Sequence, residues 1–163
     1  MSALVEIERR FLIDGLPSEF HDIAGVLIRQ GYLAFDGRRE VRIRGKGADY
    51  YMAVKEGSGL VRREVGVGIT RAQFEALWPC TLGYRIEKTR YELPLPGPGE
   101  RVLELDVFHG ALAPLCILEV EFSTVAESQA FVPPAFAGAE VTEREAYRNR
   151  SLATDGLPVD FPR

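Results

Sequence analysis

Apolar and polar residues alternate with period two along most of this chain, the pattern of β-strands whose two faces meet different surroundings. Eight segments show it, at residues 4–12, 26–35, 39–45, 50–56, 61–69, 84–93, 101–108 and 117–122. Residues suited to tight turns stand between several of them, at Asp36-Gly37, 45–49, Gly57-Ser58-Gly59 and 94–99, so hairpins and antiparallel pairing are expected. Helices fall in the gaps. Thr70-x-x-Gln73 and Thr124-x-x-Glu127 have capping-box spacing, residues 142–152 are a third candidate, and a short helix follows Pro17. Together these predict an α+β, mainly antiparallel β fold: an eight-stranded closed tunnel with a few peripheral helices, because closure removes exposed sheet edges. No segment reads as a linker, so residues 1–163 are expected to form one domain.

The polar face of these strands is unusually charged. Glu6, Glu8 and Arg10 share one face of the first strand, opposite Val5, Ile7 and Phe11, with Arg9 the one interruption of the apolar side. Arg42 and Arg44 share a face, as do Arg62 and Glu64, and Lys88, Arg90 and Glu92. Glu104 and Asp106 lie opposite Leu103, Leu105 and Val107, and Glu119 and Glu121 lie opposite Leu118, Val120 and Phe122. On any one strand this is the ordinary solvated side of a sheet with a core behind it. Across the set, carboxylates pair on the first and last strands while long cations gather between them. Such segregation suits a site that holds a metal and a polyanion: Mg2+ or Mn2+ takes oxygen ligands such as Glu6, Glu8, Glu119 and Glu121. A triphosphate suits Arg and Lys groups such as Arg10, Arg42, Arg44, Lys55, Arg62, Lys88 and Arg90. Inside a tunnel these charges are tolerable only if opposite charge, water or ligand satisfies them.

Composition narrows the alternatives. The formal net charge of −4 gives no general attraction to nucleic acid or anionic lipid, and no apolar run approaches a membrane span. A cytoplasmic protein is expected, with neither nucleic acid nor membrane as partner, as monomer or homodimer. Cys80 and Cys116 lack ligand spacing and read as reduced thiols, His21 and His109 as solvated or locally bonded imidazoles, and Trp78 as a packed helix-end aromatic. Gly66-Val67-Gly68 matches neither a dinucleotide loop nor a P-loop.

With these residues in order, the chain resembles the CYTH proteins, or triphosphate tunnel metalloenzymes. Glu6-x-Glu8-x-Arg10 resembles the family's ExExK signature, Gln30-Gly31-Tyr32-Leu33 its second strand, and Val41-Arg42-Ile43-Arg44 its paired-Arg strand. Lys55, Glu87-Lys88-Thr89-Arg90-Tyr91, Asp106-Val107-Phe108, Glu119-Val120-Glu121-Phe122, Glu140-Val141-Thr142 and Tyr147-x-Asn149 continue the succession. The resemblance implies a tunnel with a charged interior and metal-dependent hydrolysis of inorganic tripolyphosphate or a related triphosphate. It assigns Glu6, Glu8, Glu119 and Glu121 to the metal, and Arg10, Arg42, Arg44, Lys55 and Arg90 to phosphates. It also makes Lys88 the base for the attacking water, with Glu64, Glu104 and Asp106 as further tunnel acids. The chain departs from the pattern at Arg10, where the signature has Lys, at Gly66, where similar members have Glu, and at Arg144 and Ala146 before the C-terminal Tyr. An adenylate cyclase acting on ATP and a noncatalytic polyphosphate-binding module stay open as other functions, while a lipocalin-like barrel would need the opposite, apolar interior.

Overall fold

In the computed structural model, residues 7–37, 39–56, 63–96 and 101–162 are described. Strands β1 (Ile7–Leu12), β2 (Val26–Phe35), β3 (Arg39–Lys46), β4 (Asp49–Glu56), β5 (Arg63–Gly68), β6 (Arg85–Pro94), β7 (Val102–Phe108) and β8 (Cys116–Phe122) occupy the eight alternating segments. All ladders are antiparallel, in the order β1-β8-β7-β6-β2-β3-β4-β5. Among the described residues no ladder joins β1 to β5. The sheet is nonetheless rolled into a tunnel, because every one of its strands sends a side chain into a single cavity of about 260 Å³. Its apolar packing lies largely on the convex side. Helix α1 (Arg71–Leu77) covers β3 and β4 through Phe74, and the 3-10 turn after it, Trp78–Thr81, covers β2; the Phe74 and Trp78 rings stack at 5.2 Å against Ile43. Helix α2 (Val125–Ala130) and the loops around Phe20, Phe131 and Phe136 cover β1, β8 and β7, over Phe11, Leu105, Leu118 and Val120. A third cluster, Tyr32, Ile86, Phe108, Ile117, Tyr147 and Leu152, fills one end of the concave side beneath helix α3 (Asn149–Asp155).

Local chemistry explains the element boundaries. Thr70 and Gln73 form the full capping box of α1. At α2 the Thr124 hydroxyl accepts from Glu127 N, but Glu127 turns its carboxylate to Ser123 N instead of completing the reciprocal bond. The short helix after Pro17 is a single 3-10 turn, Ser18–Phe20. The helix expected over residues 142–152 is corrected: it divides into a 3-10 turn at Glu145–Tyr147 and α3, with extended backbone at Arg148 between them. That break lets Arg148, Asn149, Arg150 and Ser151 line the cavity mouth. Gly31 is required where β2 meets the turn at Trp78–Thr81, since a Cβ there would stand 2.5 Å from the Thr81 side chain. Among the described residues no helix is long and apolar enough to cross a membrane.

Replacing Phe74 by Ala removes the centre of the α1 cluster and is expected to cost about 3–5 kcal/mol in urea unfolding, whereas Thr70→Ala loses one cap and costs about 1 kcal/mol. Equal effects would show that α1 is held by its own helicity and not by packing.

Candidate active site

Strand alternation decides which charges enter the tunnel. Glu8 and Arg10 on β1, Arg42 and Arg44 on β3, Lys55 on β4 and Glu64 on β5 line the cavity, together with Arg90 on β6, Glu104 on β7, and Glu119 and Glu121 on β8. The predicted set is thereby brought to one place, apart from two residues beneath the wall and two, Glu6 and Arg62, that lie outside the described residues. Cross-strand register puts Glu8 opposite Glu121 and Glu104 opposite Glu119. Like charges facing one another on neighbouring strands destabilise a sheet unless a cation joins them.

Arg90 is that cation on the β7–β8 side. Its Nε and Nη2 donate to the two oxygens of Asp106 at 2.7 Å each, Nη2 also reaches Glu119 at 2.7 Å, and Nη1 binds Glu104. Burial alone would lower its pKa, but these carboxylates raise it far above the ordinary range, so Arg90 is permanently charged. Glu104 moves the other way: burial pushes its carboxyl up. Lys88 and Asp106, both 0% exposed, are absent from the cavity wall and form the layer under it. The Lys88 ammonium donates to Asp106 Oδ2, lies 3.4 Å from Asn149 Oδ1 and sits 5.2 Å from the Phe108 ring centre. Burial lowers the Lys88 pKa against the pull of Asp106. For Asp106 burial acts upward, but the charges of Lys88 and Arg90 outweigh it and hold the carboxyl below its usual range.

The opposite wall is built differently. Arg44 donates from Nε to Gln30 Oε1 and from Nη1 to Tyr51 Oη, both at 2.7 Å. Arg42 reaches the same Gln30 oxygen at 3.5 Å and Glu64 at 3.3 Å, and Lys55 pairs with Glu64 at 2.9 Å. Tyr32, also on this wall, has its phenol pushed up to about 12, chiefly by burial, and stays protonated at neutral pH. Gly66 stands opposite Ala53 on the inner face of β5, where an added Cβ would meet the Met52 carbonyl oxygen at an ordinary 3.8 Å.

Arg10 has a different environment from the other cations. It is 4% exposed and lines the cavity, yet Nη1 donates to the Tyr147 carbonyl at 3.1 Å and Nη2 to the Thr142 carbonyl at 3.2 Å, with Glu8 at 3.6 Å from Nε. Two carbonyls, one on each terminal nitrogen, use the planar fork of the guanidinium. Arg9, the interruption of the apolar face, points outward and grips Glu140 through two bonds of 2.9 and 2.7 Å. Among the cavity residues, Gln30's neighbour Tyr32, Tyr51, Glu40, Asn149 and the arginines of the C-terminal segment were not singled out by charge patterning. Tyr51 shares strand parity with Lys55, and Tyr32 shares it with Gln30, which is the signal that marks both. The histidines read as locally bonded are so: His109 Nε2 meets Thr89 Oγ1 at 2.7 Å and His21 Nε2 the Leu16 carbonyl at 3.2 Å.

The carboxylates of Glu8, Glu119 and Glu121 are hard oxygen donors on adjacent strands, the donor chemistry that Mg2+ and Mn2+ take. Among the described residues no three acidic, His or Cys groups already converge as a ligand set, so the fit lies in donor type and register.

Comparison with known proteins agrees with this architecture. Residues 4–132 match the CYTH domain. An inorganic triphosphatase of Nitrosomonas europaea is 46% identical over 152 residues, covering 92% of this chain and 97% of that protein. An inorganic triphosphatase of Acetivibrio thermocellus is 34% identical over 153 residues, covering 90% and 92%. A crystal structure of an inorganic triphosphatase superposes with a TM-score of 0.73 at 42% identity, covering 95% of this chain and 98% of that one. The domain match, the near-complete coverage by these relatives and the charged tunnel agree: the chain belongs to the CYTH family.

Proposed function

We propose that this protein is a divalent-metal-dependent triphosphatase that hydrolyses inorganic tripolyphosphate or a related triphosphate. The observation that carries the reading is the single cavity into which all eight strands project, with carboxylates gathered on the β1–β8 side and arginines on the β3 side. The similarity to two inorganic triphosphatases supports the substrate class. In this reading Arg42, Arg44, Lys55 and Arg90 hold phosphate oxygens, joined by Arg62, which the sequence pattern assigns to the same role. Arg10 contributes positive potential while its fork holds the C-terminal segment. Glu8, Glu119 and Glu121, with Glu6, hold Mg2+ or Mn2+, which when bound supplies charge neutralisation for the phosphoryl group.

Lys88 is the proposed base, acting on the attacking water from the layer beneath the cavity wall through one intervening water. Burial, against the pull of Asp106 and with the help of the Arg90 and Arg44 charges, lowers the Lys88 pKa and so eases loss of its proton, and Asp106 fixes the direction of its Nζ. A proton taken at Lys88 Nζ is stabilised by the Asp106 carboxylate, while Arg90 stays charged and carries the phosphate side of the exchange. Glu104 balances Arg90 from the opposite edge of its guanidinium.

The direct experiment offers tripolyphosphate, ATP and thiamine triphosphate to the purified protein with Mg2+ or Mn2+. Phosphate release from tripolyphosphate is expected, with loss in excess chelator and in Glu8→Gln, and a fall of about 10²–10⁴-fold in kcat for Lys88→Ala. No phosphate above the Glu8→Gln background from any substrate sinks the reading, and cyclic AMP with pyrophosphate from ATP replaces it with a cyclase.

Asp106 also generates a stability prediction. Its folded pKa lies below the unfolded value of about 3.9, so its contribution is complete above that value and is lost as pH falls through the depressed folded pKa. Asp106→Asn leaves two buried cations without this partner and is expected to cost about 3–5 kcal/mol at pH 7. Below the acid transition the variant and wild type should converge in urea unfolding; a constant gap at all pH values contradicts the assignment.

A further inference from the structure

Gln30 is not part of the cavity wall, yet its amide touches three groups that are. It is 0% exposed, its Oε1 accepts from Arg44 Nε at 2.7 Å and Arg42 Nη1 at 3.5 Å, and its Nε2 donates to Tyr32 Oη at 3.0 Å. The sheet register enforces this meeting. Gln30 stands directly opposite Arg44, and Tyr32 directly opposite Arg42, in the β2–β3 ladder. Two guanidiniums two residues apart on one strand face repel each other, and an oxygen between them both orients them and lowers that repulsion.

The nature of that oxygen matters. A carboxylate would hold the arginines at least as firmly, as Asp106 holds Arg90 on the other wall, but it would cancel one of their charges. An amide holds them with its dipole and leaves the net charge unchanged.

We propose that Gln30 is a positioning residue for polyphosphate binding: its uncharged amide fixes Arg42 and Arg44 without cancelling any of the positive charge they offer the ligand. The inference rests on the reading of this cavity as a triphosphate site. It also accounts for Tyr51, a second neutral acceptor on Arg44, at 2.7 Å. Burial and then the charge of Arg42 lower the Arg44 pKa, the mark of a cation surrounded by neutral partners. Tyr32 completes the arrangement, because its hydroxyl accepts the amide proton and so fixes which end of Gln30 faces the arginines.

Gln30→Glu separates charge from shape, being nearly isosteric. Its test combines thermal unfolding, calorimetric binding of tripolyphosphate in EDTA, and steady-state kinetics with Mg2+. Gln30→Glu is expected to keep or exceed the wild-type Tm while weakening tripolyphosphate binding and raising KM by about tenfold, with kcat changed by less than about threefold. Gln30→Leu, which removes the acceptor, should lower Tm and binding together. A purely structural Gln30 would give a Glu variant with wild-type KM and affinity at unchanged Tm, and that result overturns the proposal. Wild-type protein that binds tripolyphosphate without turnover defeats the hydrolase reading alone, and the Gln30→Glu binding ratio still decides this one. Wild-type protein that does not bind tripolyphosphate overturns both.

Discussion

The contact on which this fold depends is the Arg90 guanidinium among Asp106, Glu104 and Glu119. Three neighbouring strands, β6, β7 and β8, each contribute charge to it, so it fastens the concave face of three of the eight strands. A buried carboxylate or guanidinium alone costs several kcal/mol, and the interior is habitable only because each compensates the other. That requirement sends most of the apolar packing to the outside of the roll. Leu105, Leu118 and Val120 must then be covered by α2 and the Phe20 loop, and Ile43 by α1. The peripheral helices are therefore a consequence of the charged lumen: a sheet rolled round an apolar interior would not need them.

The first strand shows how finely parity divides these roles. Arg9 and Arg10 are adjacent, yet one grips Glu140 outside and the other the carbonyls of Thr142 and Tyr147 inside. Both attach β1 to the C-terminal segment, and Val141 N completes the join by donating to the Arg10 carbonyl at 2.8 Å. An arginine at the third signature position thus has a structural role, because the two arms of its fork each hold one carbonyl of the C-terminal segment. The same attachment brings Arg148, Asn149 and Arg150 to the mouth of the cavity, where Arg150 lies 4.0 Å from Glu40 and donates to the Asp36 carbonyl.

The strands were legible because their two faces differ so sharply. Glu104 and Asp106 alternate with Leu103, Leu105 and Val107, and membership of the inner face follows from counting by two. Depth along that face was not legible. Lys88 and Arg90 have the same parity and similar charge, but only Arg90 reaches the cavity, while Lys88 lies under it beside Phe108 and Ile86, a layering set by where the end cluster fills the tunnel. Neutral members were missed for a related reason. Gln30 and Tyr51 carry no charge to mark them, and their role exists only through the register that sets them opposite Arg44. The 142–152 helix failed because extended backbone at Arg148 interrupts what its composition allows.

The two walls of the cavity solve one electrostatic problem in opposite ways. Around Lys88 and Arg90 the partners are carboxylates from β7 and β8, so the positive charge on that side is largely offset. Around Arg44 the partners are an amide and a phenol, and Arg42 shares its oxygen with Arg44 while Glu64 serves both Arg42 and Lys55. That side retains positive charge. A rolled sheet makes the division natural, since β3 and β8 are far apart in strand order yet face each other across one lumen. In the proposed reading, a polyanion entering between them meets fixed cations on one side and the acids proposed to hold a metal on the other, with little reorganisation left for the moment of reaction.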